Sequence, residues 1–139
     1  MQKSIKQQLS DSRAELEFLI PTSFSADLKQ GITNQLGWLL DVDAWVEGDV
    51  LPKPESFKTL IKFMELVGCH APPSIGLLDD GHIVASWQNE IKKLVLECEC
   101  NSDQKIKWFT KEYCKDKNIT MREEGYFYLF LFGKNTSTK

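Results

Sequence analysis

The sequence predicts an α+β fold, with two or three N-terminal helices packed on one face of a five- or six-stranded antiparallel meander. Three observations carry this. Apolar residues recur at helical spacing up to Val67, the period changes to two after Pro72-Pro73, and turn residues then punctuate the chain at short intervals. The chain has 139 residues, the size of one ordinary domain. Residues 1–70 read as mainly helical, 71–133 as the sheet and 134–139 as a frayed polar tail. A domain of this length buries about two-thirds of its unfolded surface, enough for a core without disulfide or metal staples.

The first helix spans 4–20. Ile5, Leu9, Leu16 and Leu19-Ile20 form one stripe, and Pro21 prevents its continuation. Thr22-Ser23-Phe24-Ser25 then supplies cap residues for a second helix over 26–40, with Leu28, Ile32, Leu36 and Leu39 as its apolar face. Gly31 and Gly37 each weaken that helix by about 1 kcal/mol relative to Ala. Residues 41–53 form a long loop. Pro54 suits the first position of a third helix, Glu55 suits its positive end, and Gly68 suits its C-terminal cap.

After the prolines, Ser74–Leu78 reads as a short strand. Asp80-Gly81 follows as a two-residue type I′ turn, with positive φ at both positions. Strands at 82–88, 91–100 and 105–113 come next, divided by Asn89-Glu90 and Asn101–Gln104. The sequences 118–122 and 126–132, split by Gly125, complete the meander. Alternation puts Ile83, Ala85 and Trp87 on one face, and Leu94, Leu96, Cys98 and Cys100 likewise. The last strand is apolar on both faces, so it is either covered on both sides or offers one face to a partner.

The apolar fraction of 42 % and charged fraction of 27 % are those of a globular chain. Net charge is −3. Lys105, Lys107, Lys111, Lys115 and Lys117 are interrupted by Glu112 and Asp116, so they read as a solvated surface, and the balance argues against nucleic acid as a partner. No apolar stretch reaches the ~18–20 residues that span a bilayer. The N-terminus lacks a signal core, which points to the cytoplasm. In that compartment Cys69, Cys98, Cys100 and Cys114 are expected as free thiols.

Each chemical constellation has a simpler structural explanation. Cys98 and Cys100 extend the Leu94–Leu96 core face, so no metal is assigned to them. Cys69 and His70 are sequence neighbours, which does not bring thiol and imidazole together. Asp79-Asp80 is accounted for by the turn. No cofactor motif or catalytic residue emerges. Trp45 sits in an acidic loop with Asp41, Asp43, Glu47 and Asp49, where it is either an interface anchor or a core closure.

One resemblance goes further. Trp45-Val46-Glu47-Gly48, a helix, Ala71-Pro72-Pro73-Ser74-Ile75-Gly76, Asp80-Gly81-His82-Ile83-Val84 and Trp87 resemble a group of small bacterial and phage proteins of unknown function. Their pattern is roughly W-D-G, a helix, P-P-S, a D-G turn and a strand ending in Trp. The likeness covers about residues 45–100 and departs at Val46-Glu47, where the group has a single Asp. It implies a bacterial or mobile-element origin and no activity.

The expected function is binding of another protein, as an inhibitor, antitoxin, immunity protein or phage anti-defence factor. Its contact residues are expected to be Trp45, Asp49, Tyr126 and Tyr128. Two alternatives stand beside it: a small metal- or Cys-dependent enzyme, and a structural protein that homo-oligomerises through its C-terminal strand.

Overall fold

In the computed structural model, which describes residues 3–89, 91, 93–113 and 119–129 without the side chains of 113 and 119–122, three helices precede a five-stranded antiparallel sheet. Helix α1 (Ile5–Phe18) starts where the Gln7 N–H donates to the Ser4 hydroxyl at 3.1 Å. Helix α2 (Ala26–Leu39) is capped in the same way, by Ser25 accepting from Leu28. The positions of Gly31 and Gly37 are explained by packing, since the Pro72 ring and the Arg13 guanidinium lie where their β-carbons would point. Helix α3 (Pro54–Val67) begins at its proline and ends at Gly68, whose φ of 65° closes it as a left-handed cap.

The strands β1 (Ser74–Leu77), β2 (Ile83–Asn89), β3 (Leu94–Cys100), β4 (Lys105–Tyr113) and β5 (Ile119–Tyr128) lie in the order β1-β2-β3-β4-β5, each antiparallel to its sequence neighbour. Helix α3 crosses β2 and β3, α2 runs beside β1, and α1 packs on α2 and α3. The core between the layers holds Leu16, Ile32, Leu36, Phe57, Leu60, Met64, Ile83, Ile106 and Leu129, with Cys98 and Cys100 among them. At one end Phe63 of α3 stacks edge-on to Phe127 at 5.5 Å and lies 6.3 Å from Trp87.

Buried hydroxyls fasten α3 to the sheet. The Ser56 hydroxyl accepts from the Ile83 N–H at 2.7 Å and donates to the Cys100 carbonyl at 2.5 Å. Thr59 donates to the Asn101 carbonyl at 2.6 Å. At the free edge of β1, the Ile75 N–H donates to Gln35 Oε1 of α2 at 3.0 Å. One backbone group of that edge is therefore already satisfied.

Two expectations are corrected. The β1–β2 hairpin is not a type I′ turn. Gly81 has φ of 90°, but Asp80 is not among the residues with positive φ. Gly81 donates to Leu78 at 2.9 Å and Leu78 to His82 at 2.9 Å, which makes Asp79-Asp80-Gly81 a three-residue loop closed by a left-handed glycine. The reason lies in an earlier segment, since the Lys53 N–H donates to the Gly81 carbonyl at 2.9 Å and fixes the turn against the loop before α3.

The second correction concerns the last strand. It is continuous through Gly125 and ends at Tyr128. Gly125 lies opposite Trp108, and a β-carbon there would come within 2.8 Å of the indole ring. The glycine is the seat of that ring and does not break the strand. Leu129 turns away, donating its N–H to the Gln104 carbonyl at 2.8 Å and burying its side chain. Phe130, Phe132, Cys114 and the tail at 134–139 lie outside the described residues.

Candidate functional site

The last strand sorts its aromatic residues by alternation. Phe127 points into the core, while Tyr126 and Tyr128 point to the opposite face, 51 % and 37 % exposed. Their rings lie 6.3 Å apart. Lys105 Nζ sits 4.5 Å from the Tyr126 ring centre and 5.7 Å from that of Tyr128. Lys107 sits 5.1 Å from the ring of Phe109. Cations over ring faces hold the two tyrosines in place while leaving them accessible. Across the same face Lys111 pairs with Glu97 at 3.0 Å, and Glu99 stands opposite Lys107 in register. Among the described strands β5 is the outermost at this side of the sheet.

The second surface surrounds Trp45. Its indole N–H donates to the Leu39 carbonyl at 2.8 Å, satisfying one of the open carbonyls at the end of α2. The ring is half-buried: one side packs against the core, and the other borders a cavity of about 430 Å³. Asp49, Val50, Leu78 and Asp79 complete that border. Asp49 also accepts the Val46 N–H at 2.9 Å, and Asp41 the Asp43 N–H at 3.0 Å, so both carboxylates shape the loop. The 41–53 loop contains one 3₁₀ turn, Val42–Ala44.

The expected contact residues therefore fall on two surfaces, Trp45 with Asp49 on one and Tyr126 with Tyr128 on the other. Two exposed aromatics were missed, Phe18 at the end of α1 and Trp38 on α2. Trp38 on α2 is 68 % exposed, immediately before Leu39. The signal was present, because Trp38 falls off the Leu28–Ile32–Leu36 stripe.

Among the described residues no group of three or more His, Cys, Asp or Glu side chains comes together to hold a metal ion. Cys69 donates its thiol to the Ala71 carbonyl at 3.2 Å, and His70 is exposed. Burial pushes the Cys98 thiol up to about 12, with the Glu97 carboxylate adding to the effect. Cys100 is pushed higher still by burial and then by Cys98. Neither is a thiolate near neutral pH, and thiols without thiolate character are inert. In native protein, alkylation read by peptide mass spectrometry should label Cys69 well before Cys98 or Cys100. Labelling of all three at one rate would contradict the burial. Among the described residues no helix is long and apolar enough to cross a membrane.

Compared with protein-family models, with curated proteins and with solved structures, the chain matches none.

Proposed function

We propose that this chain is a small non-enzymatic module that acts by binding another protein. The observation that carries this is β5, a ten-residue strand, outermost among those described, that turns Tyr126 and Tyr128 outward beside Lys105. A strand at the margin of a sheet can pair with a partner strand, and tyrosines supply large contact area at low entropic cost. The resemblance of residues 45–100 to small bacterial and phage proteins supports an origin in a bacterium or mobile element, and the N-terminus without a signal core supports a cytoplasmic setting there. An inhibitor, antitoxin, immunity protein or anti-defence factor fits that setting.

The same edge supports a second reading, self-pairing of β5 in a homo-oligomer. Glu123 and Glu124 lie at the centre of the strand. In a two-fold antiparallel pair centred there they face their own copies, and like charges directly opposed disfavour the pairing.

Tyr128→Glu separates these readings from a purely structural role. Tyr128 also contacts Lys105 and Tyr126, so urea unfolding of the variant is read beside binding, and the test is made on variant that remains folded. Loss of an aromatic anchor should weaken partner binding by tenfold or more, since hot-spot residues contribute about 2 kcal/mol. The measurement is co-purification of tagged wild type and variant from the native host, with light scattering on each. A partner retained by wild type and lost by the variant is the expected result. A wild-type chain that stays monomeric and retains nothing would refute the module.

A further inference from the structure

The surface around Trp45 has a character of its own. In the 41–53 loop that carries Trp45, Val42, Val46 and Val50 are exposed, and Val50 borders the cavity. Large apolar side chains rarely gather on the surface of a chain without a partner. Beside them stand Asp41, Asp43, Glu47 and Asp49, and no lysine or arginine occurs between Lys29 and Lys53. The cavity beside Trp45 has Asp49 and Asp79 on its border and no basic residue there. It opens at the C-terminal end of α2, where the helix dipole adds negative potential. The Trp45 N–H is directed to Leu39, so its ring, and not its donor, is what the cavity meets. An indole face between carboxylates attracts an organic cation and repels an anion.

We infer that this surface receives a segment of the partner protein that carries both basic and apolar side chains, with one lysine or arginine seated against Trp45 between Asp49 and Asp79. The inference rests on the chain being a protein-binding module and names the chemistry of what it binds. Exposed Val46 and Val50 take the apolar residues of the segment, and the acidic loop selects the basic ones. A nucleic acid or an acidic peptide is repelled by the same residues. The contact is salt-sensitive, because most of these charges face solvent.

The test uses the full chain and two labelled octapeptides, alternating leucine–arginine and leucine–glutamate, read by fluorescence polarisation. The leucine–arginine peptide is expected to bind with Kd below about 1 mM and to weaken several-fold on going from low to moderate salt. The leucine–glutamate peptide is expected not to bind. Asp79→Asn and Val50→Ser should each weaken binding by at least threefold. Both positions are exposed, so the variants should fold, which circular dichroism checks. Glu99→Gln removes an equal charge from the sheet face and should change nothing. Failure of the basic peptide to bind overturns the inference, as does equal binding of the acidic one. An effect of Glu99→Gln as large as that of Asp79→Asn also overturns it, because the attraction is then general. Tyr128→Glu reads the other surface. If it still releases a partner while the basic peptide fails, only the inference about this surface falls. If the peptide binds and Tyr128→Glu releases nothing, the β5 reading falls instead.

Discussion

Ser56→Ala is expected to destabilise the protein by about 2–5 kcal/mol, although it removes a single oxygen atom. The hydroxyl accepts from the Ile83 N–H and donates to the Cys100 carbonyl, and those residues are register partners on β2 and β3. Alanine leaves both backbone groups buried without a partner. Each orphaned group costs about 1–3 kcal/mol, well above the net gain of an ordinary hydrogen bond. Against a total stability of about 5–15 kcal/mol, the loss is large. Urea unfolding should show a lower midpoint at unchanged slope. Thr59→Ala should cost less, because it removes one donor and leaves only the carbonyl oxygens of Asn101 and Glu55 to find another. A Ser56→Ala midpoint within error of wild type would mean that water enters between α3 and the sheet.

Gly81→Val is expected to cost about 2–4 kcal/mol, from positive φ on a β-branched residue together with a lost hydrogen bond. Gly81 has φ of 90°, and a β-carbon there would lie 2.7 Å from the Leu51 carbonyl oxygen. Both sides of that clash are backbone. Relief requires the 50–53 segment to move away and the Lys53-to-Gly81 hydrogen bond to break. The damage is therefore expected on both sides of the contact. The Lys53 amide should exchange with solvent much faster than in wild type, and Val50 should shift at the border of the Trp45 cavity. Gly81→Ala should show a smaller version of the same pattern. A melting temperature unchanged by valine would contradict the three-residue loop.

Much of the fold was legible because it rests on local rules. Pro54 and Gly68 bracket α3 as expected, since a fixed φ starts a helix and a left-handed residue ends it. Alternation put Cys98 and Cys100 inward, and burial agrees. What was not legible depends on distant partners. Ser56 is an ordinary first-turn serine until β2 and β3 arrive beside it, 44 positions away in the case of Cys100. The turn type at Gly81 was set by Lys53, which no turn rule consults. The run from Tyr126 onward is apolar at every position. Its pattern could not say which residues faced inward or where the strand ended, because Leu129 leaves the sheet to bond Gln104. Trp45 is half-buried, with one side on the core and the other on a cavity, a division that no sequence pattern carries. Trp38 lies off the stripe that packs, where periodicity assigns no role.

The bond from Ile75 to Gln35 bears on stoichiometry. Strand β1 is only four residues long, and α2 already occupies a donor on its outer side. A sheet that can be extended at both margins can add copies without limit, as fibrils do. Here only the β5 margin offers a long run of backbone for pairing among the described strands. Any strand added there completes the sheet, because the opposite margin gives a following molecule little to join. Pairing with a partner through β5 therefore stops at one-to-one. Pairing with a second copy is necessarily isologous and stops at two. Whatever the chain engages by this route, the product is a closed complex of fixed size, even at the high local concentrations that drive open-ended assembly.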